Sequence, residues 1–587
     1  MKKHIYILMA ALALTGCEDL LDTTNYTESN TGNFPSGSSD AEMMVTGVYA
    51  TLNHATASYG SSYFYVAEFA SDDRFAGGSE DDKSTLCIDK LLKANDTQFE
   101  DFWKIRYSGI ARANSAIECL TGNDTFSDTS VRDQYLGEVH YLRAFFYSEL
   151  VEMFGEVPLI TSTSQETNVP RANIDEIYAQ IASDLKQAIS LMSGKPYSEY
   201  VSGHVTKWAA EALMARVYLF YTGFYGKDSL PLPSEGGSIV KNDVIAWIDD
   251  CIQNSGHSLV GDYRNLWAYT NKYTKDDYAY TKDVIGVNGQ PLLWVGNENP
   301  ETLFSVKYCN FGGWSGSWQM GYTNQYLLAF GMRGGNGVES TFPFGQGWGH
   351  GPVASTIWDE WMQAEPDDLR RKASILNVDD PTEEVDYSRE VTIKQMEDCG
   401  LWNKKMIPIS SRQVVDKSSG ATVWPNTFWM ADPEWDKSNS GNAMQDAHFQ
   451  DLIVIRFADV LLMQSELKED VVGINRVRAR VGLAPLGAYS LESLQKERRH
   501  ELCFEGRRWA DIRRWGIAEQ ALSAQNGVTV YNKGERTKIT DGGYQKRYQA
   551  TKGFWPIPKA QIDLSEGVLT QNEGWKGTDA NYSSWNF

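Results

Sequence analysis

What this sequence lacks narrows its chemistry before any motif is read. No two of its seven cysteines are separated by two residues: Cys17, Cys87, Cys119, Cys251, Cys309, Cys399 and Cys503 are scattered over 587 positions. Structural zinc needs closely spaced thiolates or imidazoles, so no metal is expected. The zinc-hydrolase helix HExxH is missing, because His500-Glu501 is followed by Leu502, Cys503 and Phe504. A nucleophile elbow is missing too, since Ser317 stands where the last glycine of G-x-S-x-G around Ser315 would be. There is no Walker loop, and Gly345-x-Gly347 fails as a dinucleotide fingerprint because position 350 is His. No cofactor is therefore expected. Positive charge is in the minority, 54 Lys and Arg against 77 Asp and Glu, for a net charge of -23. Such a polyanion is repelled by phosphate backbones, which excludes nucleic acid as a partner. Beyond residue 14 no stretch offers 18 consecutive apolar residues, so no spanning helix is expected in the body.

What the chain does hold begins with its leader. Residues 1–17 read MKKHIYILMAALALTGC: two lysines, ten apolar positions from Ile5 to Leu14, then Leu14-Thr15-Gly16-Cys17. The apolar run is half of what a bilayer-spanning helix needs but fits a signal peptide. Its end resembles the lipobox of bacterial lipoproteins, which implies cleavage after residue 16 and acylation of Cys17. Glu18 and Asp19 resemble the surface-export signal of some outer-membrane lipoproteins. Residues 17–39, rich in Thr, Asn, Ser and Gly from Asn25 on, read as a lipidated flexible tether.

Helical periodicity dominates two blocks. In residues 40–254 apolar stripes at three- and four-residue spacing predict helices over 41–52, 99–120, 133–154, 174–192 and 205–221, joined by short Gly or Pro connections such as Gly155–Pro158. Residues 255–450 have few such stripes and many Gly, Asn, Pro and Trp; they read as loops with short strands, Thr302–Tyr308 among them. In 451–587 helices are expected over 450–468, 472–481 and 489–516. The last contains ERRHELCFEGRRWADIRRWG, residues 497–516, with Gly506 in mid-helix admitting a close neighbour. Arg507, Arg508, Arg513 and Arg514 interleave with acids, the pattern of an ion-paired face, Glu505 with Arg508 and Arg507 with Asp511.

These segments carry a resemblance. GEVHYLRAFFYSELVEMFGEVPLI (137–160), WKIRYSGIARANSAIECL (103–120), IVIRFADVLLMQSE (453–466), INRVRARVGL (474–483), residues 497–516 and GFWPIPKAQIDLSEGVLTQNEG (553–574) resemble the SusD-like (RagB/SusD) family of outer-membrane lipoproteins, in the family's order. One departure is the link from Glu466 to Gly473, which is shorter than the family's usual hairpin. The resemblance implies a mainly α fold, a tetratricopeptide-like helical-pair scaffold with an inserted loop-rich region containing short β-strands. No 34-residue repeat consensus is visible in the sequence itself. It also implies a role: capture of an oligosaccharide, or in some members a peptide, for a SusC-like TonB-dependent transporter, with the membrane reached through the lipid anchor. No catalysis is implied, although a glycosidase needs only two carboxylates and 77 acids cannot be sorted by eye.

The ligand residues must be argued locally. Residues 311–352 hold twelve glycines and nine aromatics, with Arg333 and Glu339 as the only formal charges. Glycine-rich loops that present aromatic faces suit the C–H faces of sugar rings, with amides and guanidinium groups at the edge for hydroxyls. Candidate contacts are Trp314, Trp318, Tyr322 and Trp348, with Asn324, Gln325 and Arg333 beside them. The alternative is that some of these aromatics anchor their loops in the core. A second candidate is Asp72-Asp73-Arg74, where paired carboxylates beside an arginine either grip hydroxyls or form a helix cap and salt bridge. Trp424, Trp429 and Trp435 form a third cluster, facing ligand or transporter.

The leader yields a direct expectation. Cys17→Ala should carry no acyl chain and should be lost from the membrane fraction. Membrane fractionation and mass spectrometry check this; an acylated, membrane-bound variant would overturn the lipobox assignment.

Overall fold

The computed structural model describes residues 35, 37–56, 58–122, 126, 128–233, 236–308, 323–333, 338–409, 414–415, 422–423, 450–540 and 543–576. Its frame is a succession of antiparallel helices: α1 (Ser38–Ala55), then short α2 (Tyr63–Phe69) and α3 (Lys83–Asp89), then the long α4 (Glu100–Leu120), α5 (Thr129–Phe154), α6 (Ile174–Leu191), α7 (Lys207–Tyr225) and α8 (Lys241–Asn254). Neighbours in sequence pack as neighbours in space, α4 on α5, α5 on α6, α6 on α7 and α7 on α8. Local chemistry explains the boundaries. Asn173 starts α6 with a capping box, its side chain accepting from the Asp175 backbone while Glu176 accepts from the Asn173 N–H. Thr206 caps α7 through its hydroxyl alone, which accepts from the Ala209 N–H, and Gly155 and Gly226 end α5 and α7 at positive φ. Of the stripe Ile174, Ile177, Ile181, Leu185 and Ile189 on α6, all but the partly exposed first residue are buried, as the spacing predicts.

Helices α5 and α7 are buried around most of their circumference, so they sit at the centre of the scaffold. That places charged side chains inside, and each is answered. Arg143 of α5 clasps Asp184 of α6 at 2.8 and 2.6 Å, and Arg216 of α7 reaches Asp459 at 2.7 Å.

Between residues 255 and 450 the described residues are mostly irregular. They carry α9 (Gln325–Phe330), α10 (Ser355–Ala364) and α11 (Leu369–Ser374), and seven two-stranded sheets occur among the described residues of the whole chain. The expected strand is observed as Thr302–Val306. Its partner is Leu452–Arg456, antiparallel, where a helix was predicted. The run Ile453-Val454-Ile455 after Leu452 is β-branched and pairs readily across a sheet, so local propensity favours the strand. Helix α12 therefore starts only at Phe457 and runs to Lys468. The short link then closes at once: Glu469 takes positive φ, and α13 (Val472–Arg480) folds back so closely that a Cβ on Gly473 would lie 1.9 Å from the Leu461 carbonyl oxygen.

The predicted helix 489–516 is two helices, α14 (Leu491–Leu502) and α15 (Arg508–Arg514), followed by α16 (Ala518–Ser523), α17 (Tyr544–Thr551) and α18 (Lys559–Leu564). The break falls at Phe504 and Gly506, both at positive φ. Gly506 is thus a turn residue and not a mid-helix one. Its expected close neighbour is Phe64, and its N–H donates to Glu68 at 2.8 Å. The ion-paired face is present with other partners than the expected ones: Glu505 binds the distant Lys405 and Arg456, and Asp511 binds Arg498 and, three residues on, Arg514.

Glu501 is the hub. It is fully buried and meets Arg456 at 2.5 Å, Arg370 at 3.0 Å and Arg480. Glu301, at the foot of the Thr302 strand, shares Arg456 and Arg480, both at 2.8 Å. Burial opposes ionisation, yet the three arginines hold the Glu501 carboxyl well below the usual carboxylate range. Cys87, Cys251, Cys399 and Cys503 are free thiols, and burial pushes Cys503 up to about 11.

Removing one partner from such a cluster leaves uncompensated charge in a low dielectric. Glu501→Ala should destabilise the protein by roughly 3–5 kcal/mol, read from the midpoint of chemical denaturation. An unchanged midpoint would show that the cluster does not join the inserted region to the scaffold.

Candidate functional site

Two stretches far apart in sequence are brought side by side. Residues 73–78 run antiparallel to 349–354, with Phe75 N–H on the Pro352 carbonyl at 2.9 Å, Gly78 on Gly349 at 2.7 Å, Gly351 on Ala76 at 2.8 Å and Ala354 on Asp73 at 2.9 Å. Only glycine fits the turn in the first stretch. Gly77 and Gly78 have φ of 63° and 70°, and a Cβ on Gly78 would meet the His350 ring at 2.5 Å.

The acidic motif at the start of this ribbon faces inward. Arg74 is completely buried, paired with Glu68 at 2.5 Å and held between the rings of Phe330 and Phe504 at 4.2 and 4.7 Å. Asp72 receives Arg508 at 2.7 and 2.8 Å and Arg499 at 3.0 Å, and Asp73 receives Arg499 at 2.8 Å. Burial alone would raise the Asp72 carboxyl, but Arg499 and Arg508 outweigh it and hold it low; burial pushes Asp73 up.

The aromatic motif divides. Tyr326, Phe330, Phe342 and Phe344 are buried loop anchors. Asn324 is buried as well: its Oδ1 accepts from the Tyr326 N–H at 3.0 Å, capping α9, and its Nδ2 donates to the Gln450 carbonyl at 2.6 Å. Gln325 is also buried. Trp348 and Arg333 stay partly exposed, and Arg333 Nη2 donates to the Trp348 carbonyl at 2.6 Å. Trp314, Trp318 and Tyr322 lie outside the described residues, as do Cys17, Trp424, Trp429 and Trp435.

Around Trp348 the ribbon gathers groups that the sequence reading did not single out. Tyr59 stands 6.5 Å from the Trp348 ring and 4.9 Å from His350, and Trp348 and His350 are 6.3 Å apart, all in edge-on geometry. Asp82 lies 3.6 Å from Arg333 and 4.0 Å from His350 Nε2, and is fixed by the backbone and hydroxyl of Ser79 at 2.6 and 2.8 Å. Gln395 donates to the Gly349 carbonyl at 2.7 Å from below. Four buried polar atoms of this cluster, Tyr59 Oη, Arg333 Nε, His350 Nδ1 and Gln395 Oε1, have no hydrogen-bond partner among the described residues. Burial, opposed by Asp82 and reinforced by Arg333, brings His350 down to about 4; burial, then Asp82, pushes the Tyr59 hydroxyl far up. At neutral pH the cluster is thus a neutral imidazole and phenol beside an Asp82–Arg333 ion pair, under a partly exposed indole. That set can stack on an apolar ring face and bond hydroxyls at its edge. Of the residues missed, only His350 left a signal, as one of 8 histidines and flanked by Gly349 and Gly351. Tyr59 and Asp82 left none.

Among the described residues one carboxylate–imidazole trio, Glu365, Asp368 and His500, has ligand atoms within 4.8 Å of one another. Arg478 holds Glu365 at 2.7 Å and Arg370 holds Asp368 at 2.7 Å, while His500 stacks on Trp361 at 4.2 Å. Guanidinium groups on both carboxylates make this a branch of the ion-pair network, a poor setting for a cation.

Residues 19–219 match the family described as "Starch-binding associating with outer membrane", and residues 309–575 match the SusD family. SusD-like protein P25 of Formosa agariphila is 22% identical over 555 residues, spanning 88% of this chain and 89% of its own length. A SusD-like protein of Bacteroides ovatus is 23% identical over 445 residues, 72% of this chain and 67% of that one. Among solved structures, a laminarin-binding SusD-like protein matches the fold with a TM-score of 0.65 at 24% identity, covering 92% of this chain and 99% of its own. Surface glycan-binding protein A from Bacteroides thetaiotaomicron, in complex with laminarihexaose, gives 0.64 at 19% identity, covering 91% and 99%.

The depressed His350 predicts a pH dependence. An unfolded chain protonates this ring near its ordinary value of about 6.5, whereas the folded protein resists protonation down to about 4. Stability from this group is intact above about 6.5 and falls as pH drops through that window. His350→Gln should flatten the curve of Tm against pH between about 6.5 and 4, leaving a slope from His257, also lowered to about 4 by burial. Curves of equal steepness for variant and parent would refute it.

Proposed function

This chain belongs to the SusD family, and from that premise we propose that it is a lipid-anchored outer-membrane protein that captures oligosaccharides at the cell surface and passes them to a SusC-like TonB-dependent transporter. The observation that carries the reading is the cluster at Trp348, a partly exposed indole beside the Asp82–Arg333 pair with Tyr59 and His350 behind it. An aromatic platform rimmed by charge-assisted hydrogen-bond donors and acceptors suits a sugar, whose ring faces are apolar and whose edges carry hydroxyls. Trp314, Trp318 and Tyr322, outside the described residues, are proposed as further contacts on their residue type alone.

Binding without turnover is part of the proposal. Asp82 lies 3.6 Å from Arg333, and His350 is buried and held neutral by that burial, so the cluster presents no exposed imidazole base at the rim. Names of relatives support a glycan: two of the solved structures with this fold are described as binding laminarin and laminarihexaose. In this reading the chain is anchored through Cys17, and the helical scaffold offers a broad face for a transporter to bind.

Calorimetry with a panel of oligosaccharides tests the site. Trp348→Ala should weaken the binding of the oligosaccharide that the parent takes by about 1–3 kcal/mol, with little loss of thermal stability because the indole is partly exposed. Loss of stability at unchanged affinity would assign Trp348 to packing and remove the platform from the proposal.

A further inference from the structure

The acidic motif Asp72-Asp73 is not used by the Trp348 cluster, yet it underlies a second concavity. A pocket of about 370 Å³ opens where α14, α15, α16 and α10 meet, with Asp72, Arg499 and Arg508 at its base. That size is in the range of small-ligand pockets, roughly 300–1,000 Å³. Ile517, Ala521 and Ala524 also line it, with the amides of Gln495 and Gln520.

The guanidinium groups are fixed in place. Asp72 grips Arg508 side-on, Nε at 2.7 Å and Nη2 at 2.8 Å, which leaves Nη1 without a partner among the described residues. Arg499 is held by Asp72, Asp73 and Glu360, the last at 2.6 Å. The buried carboxylates immobilise these side chains before any ligand arrives, so a ligand bonding them meets little ordering cost. Glu360 is half exposed and pairs with Arg499 through one oxygen, keeping acceptor capacity toward the pocket. The formal charges lining the pocket cancel: Asp72, Glu360 and Glu492 against Lys496, Arg499 and Arg508. Cancellation disfavours an anionic ligand such as phosphate or sulfate and favours a neutral one with many hydroxyls, able to donate to carboxylates and accept from guanidinium and amide groups. No aromatic ring lines the pocket, so recognition there is by hydroxyl pattern and not by stacking.

We propose that this pocket is a second carbohydrate-binding site, separate from the Trp348 cluster, which takes one or two sugar units of a neutral glycan through their hydroxyls. The proposal rests on the carbohydrate reading above and adds a site to it.

The test fills the pocket without touching its ion pairs. Ala521 is a partly exposed lining residue, so Ala521→Trp occludes the space while Asp72, Arg499 and Arg508 keep their partners. Parent, Ala521→Trp, Gln520→Leu and Trp348→Ala are titrated by calorimetry and by saturation-transfer NMR with a panel of neutral hexasaccharides, laminarihexaose among them, and with their component monosaccharides. Two classes of site are expected in the parent. Trp348→Ala should weaken one class and spare the other; Ala521→Trp should do the reverse, weakening the second by about tenfold or more, and Gln520→Leu should weaken that same class less. All variants should keep the parent Tm. Unchanged titration of Ala521→Trp, with binding still lost in Trp348→Ala, would overturn the second site and leave the first standing. If no member of the panel binds the parent, both readings fall.

Discussion

Burying a carboxylate as deep as Glu501 is tolerable only if cations surround it, and most of this structure follows from meeting that condition. Its partners come from distant parts of the chain: Arg370 from α11, Arg456 from the end of a strand, Arg480 from the end of α13. Glu301 shares two of them, and Glu505 shares Arg456 while adding Lys405. Desolvation of so many charges is costly, and the attraction between them offsets it only in good geometry. The network therefore contributes specificity as much as stability. It fixes which loop of the inserted region meets which helix of the signature.

From that hub the constraint passes outward. The chain leaves α14 through Phe504 and Gly506 at positive φ, which places Phe504 on one face of Arg74 and the Gly506 N–H on Glu68. Arg74, so held, anchors the ribbon of residues 73–78 against 349–354. The outer end of the ribbon carries Trp348 and His350 and the inner end carries Asp72 and Asp73. One piece of backbone thus serves both the aromatic cluster and the polar pocket. The two differ in how they would meet a sugar, one by ring face and edge, the other by hydroxyls alone.

Such a design separates rigidity from recognition. Paired charges and loop-anchoring aromatics such as Tyr326 and Phe330 stay inside. The groups left at the surface are few and pre-oriented, which lowers the entropic cost of engaging a ligand. The Tyr59 hydroxyl and Arg333 Nε, buried beside the indole, have no hydrogen-bond partner among the described residues.

Much of the scaffold was determined by sequence alone. Stripes such as Ile177, Ile181 and Leu185 can face only one way on a 3.6-residue helix, and Asn173 with Glu176 can only begin one. The interleaved acids and bases of residues 497–516 announced ion pairing, but not the partners: Glu505 lies three residues from Arg508 and yet bonds Lys405 and Arg456. Leu452–Ile455 became a strand because Thr302–Val306, some 150 residues earlier, supplied an edge to pair with. The sequence pointed to Asp72–Arg74 and to Trp348 and Arg333 as separate candidates. Only the tertiary structure joined them in one ribbon, turned Asn324 inward as a helix cap, and added Tyr59, Asp82 and His350. Helix periodicity is a local property, carried by residues three and four apart. The partner of a buried charge is set by whichever distant segment can neutralise it, and no local pattern records that.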